Sequence, residues 1–203
     1  MMTDNEFVSE VERVIKAEAE ELLKLAGRFD RDAVLKTADA LQNCRGKVVL
    51  AGCGTSGQAA KKIAHTLCCI EIPAVYMCPA DAVHGELGLL QEEDVLILIS
   101  KGGSTEELLP FIPACRAKKA LLIGVTDNAG SEIGRNADIL LSAKTDREPD
   151  PFNMLATAST LAVIALFDGI CVSLAQRRGF TKDQFAIIHP HGAVGNRLLN
   201  HLA

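Results

Sequence analysis

The chain has 203 residues, of which 48% are hydrophobic and 23% are charged, and its formal net charge is −5. This length and composition fit one soluble globular domain and exclude a disordered or collagen-like chain. The acidic balance and an aromatic content of 4% argue against a nucleic-acid-binding surface, so we expect no nucleic-acid partner.

The N-terminal part, residues 1–43, is charged and predicts two helices with a break near Gly27. From residue 44 onward the chain predicts five strands, each an apolar segment followed by a loop or helix signal: residues 47–51, 74–78, 94–100, 120–126 and 138–142. Apolar strands separated by helix-length segments are typical of a parallel sheet covered on both faces. The predicted fold class is α/β, a three-layer sandwich around a five-stranded parallel sheet, in one domain over residues 1–203.

The last third predicts a long apolar helix over residues 152–178 and then a short tail. Residues 154–175 are apolar enough to raise the question of a membrane span, but they include polar residues such as Thr157 and Asp168. A buried core helix fits this composition better. We therefore expect no membrane partner.

The seven cysteines lack the paired spacing of a zinc site or a disulfide framework. We expect reduced, buried thiols and therefore a cytoplasmic protein. The N-terminus is acidic and lacks the basic and apolar regions of a secretory signal.

A glycine-rich loop, Gly-Cys-Gly-Thr-Ser-Gly at residues 52–57, follows the first predicted strand and precedes a helix predicted over residues 58–69. Glycines let backbone amides converge and the helix N-terminus adds positive potential, so the loop favours a small anion. A dinucleotide motif would need a glycine at Gln58, and no Gly-Lys-Ser/Thr follows, which excludes a Walker loop. A tight turn without a ligand is the alternative.

A second loop of similar chemistry follows the third predicted strand and reads Ser-Lys-Gly-Gly-Ser-Thr-Glu-Glu at residues 100–107. Ser104 or Thr105 is expected to cap the following helix, with Glu107 in its first turn. Open α/β sheets bind ligands at the carboxyl ends of their strands, so two such loops favour one phosphorylated small molecule. Plain helix caps are the alternative here.

The other candidates for chemistry are polar residues in predicted loops: His84, Glu148, His189 and His191. Each has the alternative of an ordinary surface residue, and spacing alone does not bring them together.

Five segments resemble the sugar isomerase (SIS) domain family and, within it, the D-arabinose-5-phosphate isomerases: GCGTSGQAAKKIA, PADAVHGELGLL, DVLILISKGGSTEEL, ADILL and GFTKDQFAIIHPHGAVGNRLL. The resemblance covers residues 5–199, and the last segment, similar to His-Pro-Gly-Gly-Ala-Leu-Gly, is the most specific. Longer members of the family carry a pair of CBS modules after this segment, whereas this sequence stops at Ala203. The resemblance therefore implies a stand-alone catalytic form.

The resemblance also implies site residues by matching segments. The family's active-site histidines fall on His84 and His189, and its two glutamates fall on Glu107 and Glu148. Its phosphate-binding hydroxyls fall on Ser56 in the first loop and on Ser100 and Thr105 in the second, with Ser104 adjacent. We expect Gly54, Thr55 and Lys101 to contribute to the same substrate and phosphate site. Thr55 replaces a usual lysine, and the second loop reads Ser-Lys-Gly-Gly where Ser-Asn-Ser-Gly is usual. We expect Lys101 to supply the cation missing from the first loop.

The function implied is interconversion of D-ribulose 5-phosphate and D-arabinose 5-phosphate, a step in Kdo supply, through an enediol and without metal or organic cofactor. Glu148 is the expected base, because burial can raise a carboxyl pKa toward neutrality. His189 or His84 would protonate the carbonyl oxygen or open the ring, and Glu107 would orient one of them. The resemblance implies a homo-oligomer, a tetramer, with active sites at subunit boundaries.

Two other functions stay open. Thr55 would also suit an isomerase for a hexulose or heptose phosphate. A non-catalytic sugar-phosphate sensor, binding through the same two loops, is the third hypothesis.

Overall fold

The computed structural model describes residues 2–192 and residue 195. Its centre is a parallel sheet in the order β2-β1-β3-β4-β5. The strands are β1 (Val48–Gly52), β2 (Ala74–Tyr76), β3 (Val95–Ile99), β4 (Leu121–Val125) and β5 (Ile139–Leu141). The predicted five-stranded parallel sheet is confirmed, and the strand ends differ from the predicted ones by no more than two residues.

Helices connect and cover the strands. The α-helices are α1 (Asp4–Arg28), α2 (Arg31–Gln42), α3 (Gly54–Cys68), α4 (Pro79–Ala82), α5 (Phe111–Lys118), α6 (Glu132–Asn136), α7 (Ala158–Arg177) and α8 (Lys182–Ile188). Two short 3-10 helices follow β2 and β3, at Glu86–Leu89 and Glu106–Leu108.

Side chains that alternate along each strand form two separate apolar cores. Val48 and Leu50 belong to the core beneath α1, α2, α3 and α7. Val49 and Ala51 belong to the core on the other face, with α4, α5 and α6. Both faces of the sheet are therefore buried, which explains why the strands are apolar at nearly every position. The predicted three-layer α/β sandwich is confirmed.

The strand order reverses direction between β1 and β3. The chain moves from β1 to β2 on one side, and then crosses to β3, β4 and β5 on the other side. Gly52 at the end of β1 is paired in register with Ile99 at the end of β3. The two polar loops predicted from the sequence thus begin side by side, at the switch point where sheets of this kind bind ligands.

The break between the N-terminal helices lies slightly later than predicted. Gly27 is inside the last turn of α1, and α2 begins after Asp30. The Asp30 carboxylate accepts a hydrogen bond from the Ala33 amide at 3.0 Å. A side-chain cap of this kind, rather than the glycine, fixes where the second helix starts.

The long apolar helix is shorter than predicted: α7 begins at Ala158, not at residue 152. Upstream of it, the Asp150 carboxylate accepts hydrogen bonds from the amides of Phe152, Met154 and Leu155, which holds that segment in an irregular turn. By length and composition alone α7 would be able to cross a membrane, but it packs here against α1 and α3.

The thiols are less buried than predicted. All seven cysteines are free, but only Cys115 and Cys171 are buried, and Cys68 is exposed. Burial raises the pKa of Cys171 to about 12 and that of Cys115 to about 11. These two thiols therefore behave as apolar core groups.

Candidate functional site

The first loop, residues 52–57, turns the chain sharply from β1 into α3. A Cβ atom on Gly57 would lie 2.6 Å from the carbonyl oxygen of Gly52, so only glycine allows this approach. Cys53, which precedes the helix, forms no side-chain cap. The first amides of α3, at residues 54–56, therefore lack a side-chain acceptor from the cap position. Such an uncapped helix N-terminus favours a bound anion.

The helix begins four residues earlier than predicted. Because α3 starts at Gly54 rather than at Gln58, Thr55 and Ser56 belong to its first turn. Thr55 is exposed and Ser56 is half-buried. Their hydroxyl groups therefore accompany the first amides of α3 at the point of highest positive helix potential.

The second loop, residues 100–105, is closed on itself by the Ser100 hydroxyl. This hydroxyl accepts a hydrogen bond from the Gly103 amide at 3.0 Å and lies 2.8 Å from the Thr105 Oγ1. Thr105 stands at the cap position of the next 3-10 helix without capping it, and Ser104 is exposed. Thr105 thus occupies the predicted cap position, but its hydroxyl is paired with Ser100 and does not cap the helix.

Both loops line one cavity of about 190 Å³ at the carboxyl edge of the sheet. The ends of β3 and β4 and the start of α7 complete its wall. The polar residues that line it are Thr55, Ser56, Lys101, Thr126, Asp127, Ser159 and Thr160. Among the described residues of the second loop, Lys101 alone reaches this cavity. The fold therefore brings the helix N-terminus and one lysine to the same small space.

Lys101 is held at the cavity by Glu148. The Lys101 Nζ lies 3.0 Å from Glu148 Oε1. Glu148 is 2% exposed, and its Oε2 accepts hydrogen bonds from the amides of Thr157 and Ser159 at 3.1 and 3.3 Å. Glu148 therefore caps α7 and pairs with the lysine at the same time. This links the segment after β5 to the second loop.

The expectation that Glu148 has a raised pKa is wrong. Burial alone raises the pKa of this carboxyl, but the hydrogen bonds from Ser159, Lys101 and Thr157 outweigh burial and hold the pKa below its ordinary value. The partners matter more than desolvation because they stabilise the charged form directly. Glu148 is therefore a fixed anion in this structure.

Asp127, which no sequence pattern singles out, lines the cavity two residues after the end of β4. It is half-buried, and its Oδ1 accepts a hydrogen bond from the Ser142 hydroxyl at 3.0 Å. Burial raises the pKa of Asp127, and the Ser142 hydroxyl and nearby positive charges only partly oppose this. The available signal was its place at the end of a parallel strand beside the strand of the second loop.

His84 and Glu107 lie on the exposed rim near the first loop. His84 follows α4, and Glu107 is in the 3-10 helix that packs against α4. Burial and then the negative charge of Glu107 raise the pKa of Cys53 in the first loop. Neither His84 nor Glu107 lines the cavity formed by the described residues. The chain alone does not bring them to Lys101 and Glu148.

His189 lies at the opposite end of α3. Its Nε2 is 3.6 Å from the Cys69 Sγ, and its ring stacks on Phe185 with a centroid separation of 4.0 Å. Cys69 is the residue that follows the last turn of α3, and the 15 residues of this helix correspond to a length of about 22 Å. His189 is thus far from the loop residues of its own chain. His191 is exposed, and most of the terminal segment after it, residues 193–194 and 196–203, lies outside the described residues.

A larger cavity, of about 380 Å³, lies between α1, α2 and α7. Its walls are almost entirely apolar, with residues such as Leu22, Phe29 and Leu166. It offers no acid, base or cation for chemistry apart from Arg177 at its edge, among the residues that the structure describes. We therefore assign the functional site to the smaller polar cavity.

The cavity combines groups suited to a phosphorylated, carbonyl-bearing molecule. Helix amides and hydroxyls bind a phosphoryl group, and a lysine stabilises a negatively charged oxygen. Asp127, whose pKa is raised, lines the cavity, while Glu148, whose pKa is lowered, is buried behind Lys101 and does not line it. Phosphate binding beside acid and base groups fits proton transfer on a small phosphate ester.

Comparison with known proteins gives a consistent result. A family model described as SIS domain matches residues 40–169. The arabinose 5-phosphate isomerase GutQ of Salmonella typhi is 36% identical over 190 residues, which are 94% of this chain and 59% of the relative. The chain thus spans about three fifths of the length of that relative.

Two solved structures cover nearly the whole chain. A Listeria monocytogenes protein, provisionally described as a sugar-phosphate isomerase, has a TM-score of 0.92 and 51% identity, covering 94% of this chain and 100% of its own. An Escherichia coli CFT073 protein in complex with arabinose 5-phosphate has a TM-score of 0.89 and 27% identity, with 93% and 100% coverage.

Proposed function

Because the chain belongs to the SIS domain family, we propose that it is an aldose-ketose isomerase that interconverts D-ribulose 5-phosphate and D-arabinose 5-phosphate. The observation that carries the proposal is the single cavity bounded by both polar loops. The names of the relatives and the arabinose 5-phosphate complex of the Escherichia coli protein support the pentose phosphate as substrate.

The phosphoryl group binds at the amino end of α3 in this proposal. The amides of residues 54–56 and the Ser56 hydroxyl face it from the first loop. The hydroxyls of Ser100, Ser104 and Thr105 approach from the second loop once the Ser100–Thr105 hydrogen bond opens to the ligand. A dianion binds most tightly where several amides and hydroxyls converge on it at a helix N-terminus.

Lys101 takes the place of the lysine that related enzymes carry in the first loop. Its ammonium group lines the cavity and is fixed by Glu148 at 3.0 Å, so it meets an oxygen of the sugar without further ordering. A positive charge placed in advance stabilises the enediolate formed during isomerisation. Glu148 contributes by holding this lysine and the start of α7.

His84, His189 and Glu107 act in this proposal when a second copy of the chain completes the site. His189 lies beside Cys69, at the far end of α3 from its own cavity, so a neighbouring copy would receive it. Apolar side chains that are exposed on α1, among them Phe7, Val8 and Ile15, support a subunit interface. We propose a cytoplasmic homotetramer with active sites between subunits, which supplies arabinose 5-phosphate for Kdo.

The shared site has a direct test. Lys101→Met and His189→Ala each remove one half of it, and we expect each variant alone to lose at least about 99% of turnover. Mixing the two after unfolding and refolding together should restore activity, up to about a quarter of the wild-type value if random pairs form. Two inactive variants that stay inactive in every mixed assembly would contradict a site built from two chains.

The reaction itself is tested with D-ribulose 5-phosphate in heavy water. A proton-transfer isomerase places deuterium at C2 of the arabinose 5-phosphate that it forms, which nuclear magnetic resonance detects. Binding without exchange would contradict an isomerase and favour a sensor. A panel of hexulose and heptose phosphates in the same assay examines the second candidate function, which Thr55 in place of the usual lysine favours.

A further inference from the structure

Two carboxylates flank Lys101 from different elements. Glu148 reaches it from the segment after β5, with Oε1 at 3.0 Å from the lysine Nζ. Asp127 follows β4, and its backbone amide donates to the Lys101 carbonyl at 3.1 Å. Asp127 and Lys101 also line the same cavity. Glu148 therefore pairs directly with the lysine, and Asp127 lies beside the same lysine in the cavity wall.

The two carboxylates differ in how many of their lone pairs are free. Both oxygens of Glu148 are occupied, one by Lys101 and the other by the amides of Thr157 and Ser159. Asp127 accepts one hydrogen bond, from the Ser142 hydroxyl to Oδ1. Its Oδ2 accepts none from the part of the chain that the structure describes. Asp127 is therefore the carboxylate able to receive a proton from a bound molecule.

The surroundings of the two carboxylates also move their pKa values in opposite directions. Burial raises the pKa of Asp127, and the Ser142 hydroxyl and the charges of Lys101, Lys144 and Arg28 do not cancel it. The pKa of Glu148 is lowered by its donors despite burial. When two carboxyls at one site have their pKa values moved in opposite directions, the raised one suits acid-base work and the lowered one suits charge stabilisation.

We propose that Asp127 is the catalytic residue that moves the proton between C1 and C2 of the sugar, while Lys101 faces the oxygen on which negative charge develops. This inference rests on the proposed isomerase function and deepens it. It assigns the base to a cavity residue of the same chain as the phosphate loops, in place of Glu148.

The proton transfer balances with solvent water as the only other participant. Asp127 takes the proton from C2 of the open-chain aldose, the C–H electron pair becomes the C1=C2 bond, and the carbonyl π pair moves to O1. O1 takes a proton from water, which gives the enediol. The protonated Asp127 then delivers its proton to C1, and the C1=C2 electron pair forms the new C1–H bond. The O2–H proton returns to the solvent, and its electron pair becomes the C2 carbonyl of the ketose. Lys101 stabilises the negative oxygen in both halves.

The main test compares Asp127→Asn with the wild type and with Asp32→Asn, an exposed aspartate in the first turn of α2. We expect Asp127→Asn to lower kcat at least about a hundredfold, in keeping with general-base effects. Its affinity for arabinitol 5-phosphate, which has no carbonyl group, should change less than about threefold. Asp32→Asn should match the wild type in both measurements.

The outcomes separate this inference from the proposed function. If the wild type exchanges no proton with any sugar phosphate, both the isomerase function and the assignment of Asp127 as the base are wrong. If the wild type isomerises ribulose 5-phosphate and Asp127→Asn does so at a similar rate, the assignment of Asp127 falls and the isomerase stands. Lost turnover with retained binding supports the assignment.

Ser142→Ala provides a second test that does not depend on how well Asp127→Asn folds. The Ser142 hydroxyl lowers the pKa of Asp127, whose other charged neighbours are Lys101, Lys144 and Arg28. Removing the hydroxyl should raise that pKa, so the pH at which kcat falls to half on the acid side should rise. An acid limb that stays in place would overturn the role of Asp127 as the base.

Discussion

The two ends of α3 differ in what they offer a ligand. At the amino end, the uncapped amides of residues 54–56 adjoin a polar cavity with Lys101 and Asp127. At the carboxyl end, His65 and His189 surround the Cys69 thiol, and the helix potential there disfavours an anion. One helix thus separates the candidate phosphate-binding groups from a candidate catalytic histidine. In the proposed function, one chain holds the substrate and a second copy completes the site, and this difference between the two ends of α3 is what that proposal explains.

The largest effect is expected from a substitution that forces the first loop away from α3. Gly57→Ala places a Cβ atom 2.6 Å from the Gly52 carbonyl oxygen, and neither backbone is free to move. We expect a loss of about 3 kcal/mol in the free energy of unfolding, typical of overpacking in a rigid site. Urea unfolding measures it.

Gly27→Ala is the matched control for this change. Gly27 lies in α1, and nothing lies within 4 Å of a Cβ atom built on it. Alanine favours helix over glycine, so the control should be as stable as the wild type or more stable by up to about 1 kcal/mol. Equal stability of both variants would contradict the close approach of the first loop to α3.

Glu148→Gln tests the ion pair and the cap that hold the cavity together. The folded pKa of Glu148 is lowered, so its stabilising contribution is present above the unfolded pKa, near about 4.3, and is lost as pH falls through the folded value. We expect the variant to lose about 2 kcal/mol of stability at pH 7. The difference from wild type should shrink below about pH 4.

Urea unfolding at both pH values measures this difference. Glu106→Gln is the control, because Glu106 is exposed and its side chain makes no hydrogen bond with the described residues. A loss for Glu148→Gln that is the same at neutral and acid pH would mean that shape, rather than charge, makes the contribution.

Lys101→Met removes the cation and keeps an unbranched side chain that is one atom shorter. We expect the affinity for arabinitol 5-phosphate to fall about tenfold, the size of one charge-assisted contact at a partly exposed site. Calorimetric titration measures the affinity. Lys118→Gln, at the exposed end of α5, should leave it unchanged. Equal affinities of the two variants would remove Lys101 from the binding site.

The smallest effect is expected at the other end of the helix. His65→Gln changes an exposed side chain near Cys69. Since the proposed phosphate site lies at the amino end of α3, the affinity of His65→Gln for arabinitol 5-phosphate should stay within about twofold of the wild type. A tenfold loss in the same titration would mean that the anion contacts the carboxyl end of α3.

The sequence predicted the parts of this picture that depend on local patterns. Apolar strands followed by glycine-rich and hydroxyl-rich turns indicated the sheet and both loops, because strand length and turn chemistry are encoded locally. The sequence pattern does not predict the start of α7. The carboxylates of Asp150 and Glu148 accept hydrogen bonds from amides several residues ahead, and these bonds delay the start of the helix. The spacing of apolar residues does not mark a helix boundary that side-chain caps of this kind determine.

The two carboxylates show why chemistry is harder to predict than position. Glu148 was recognised, but its pKa depends on Lys101, which is distant in sequence and adjacent only in the fold. Asp127 was overlooked because a lone aspartate in a Thr-Asp-Asn turn has the pattern of an ordinary loop residue. The order of the strands, rather than the residue itself, brings it to the cavity.

A crystal structure with arabinitol 5-phosphate bound would show whether both loops contact the same phosphoryl group. We expect the phosphoryl oxygens within about 3.2 Å of the amides of residues 54–56 and of the hydroxyls in the Ser100–Thr105 loop, with the polyol carbons beside Lys101 and Asp127. A phosphoryl group bound next to His65 and Cys69, or one in contact with a single loop, would contradict the joint phosphate site.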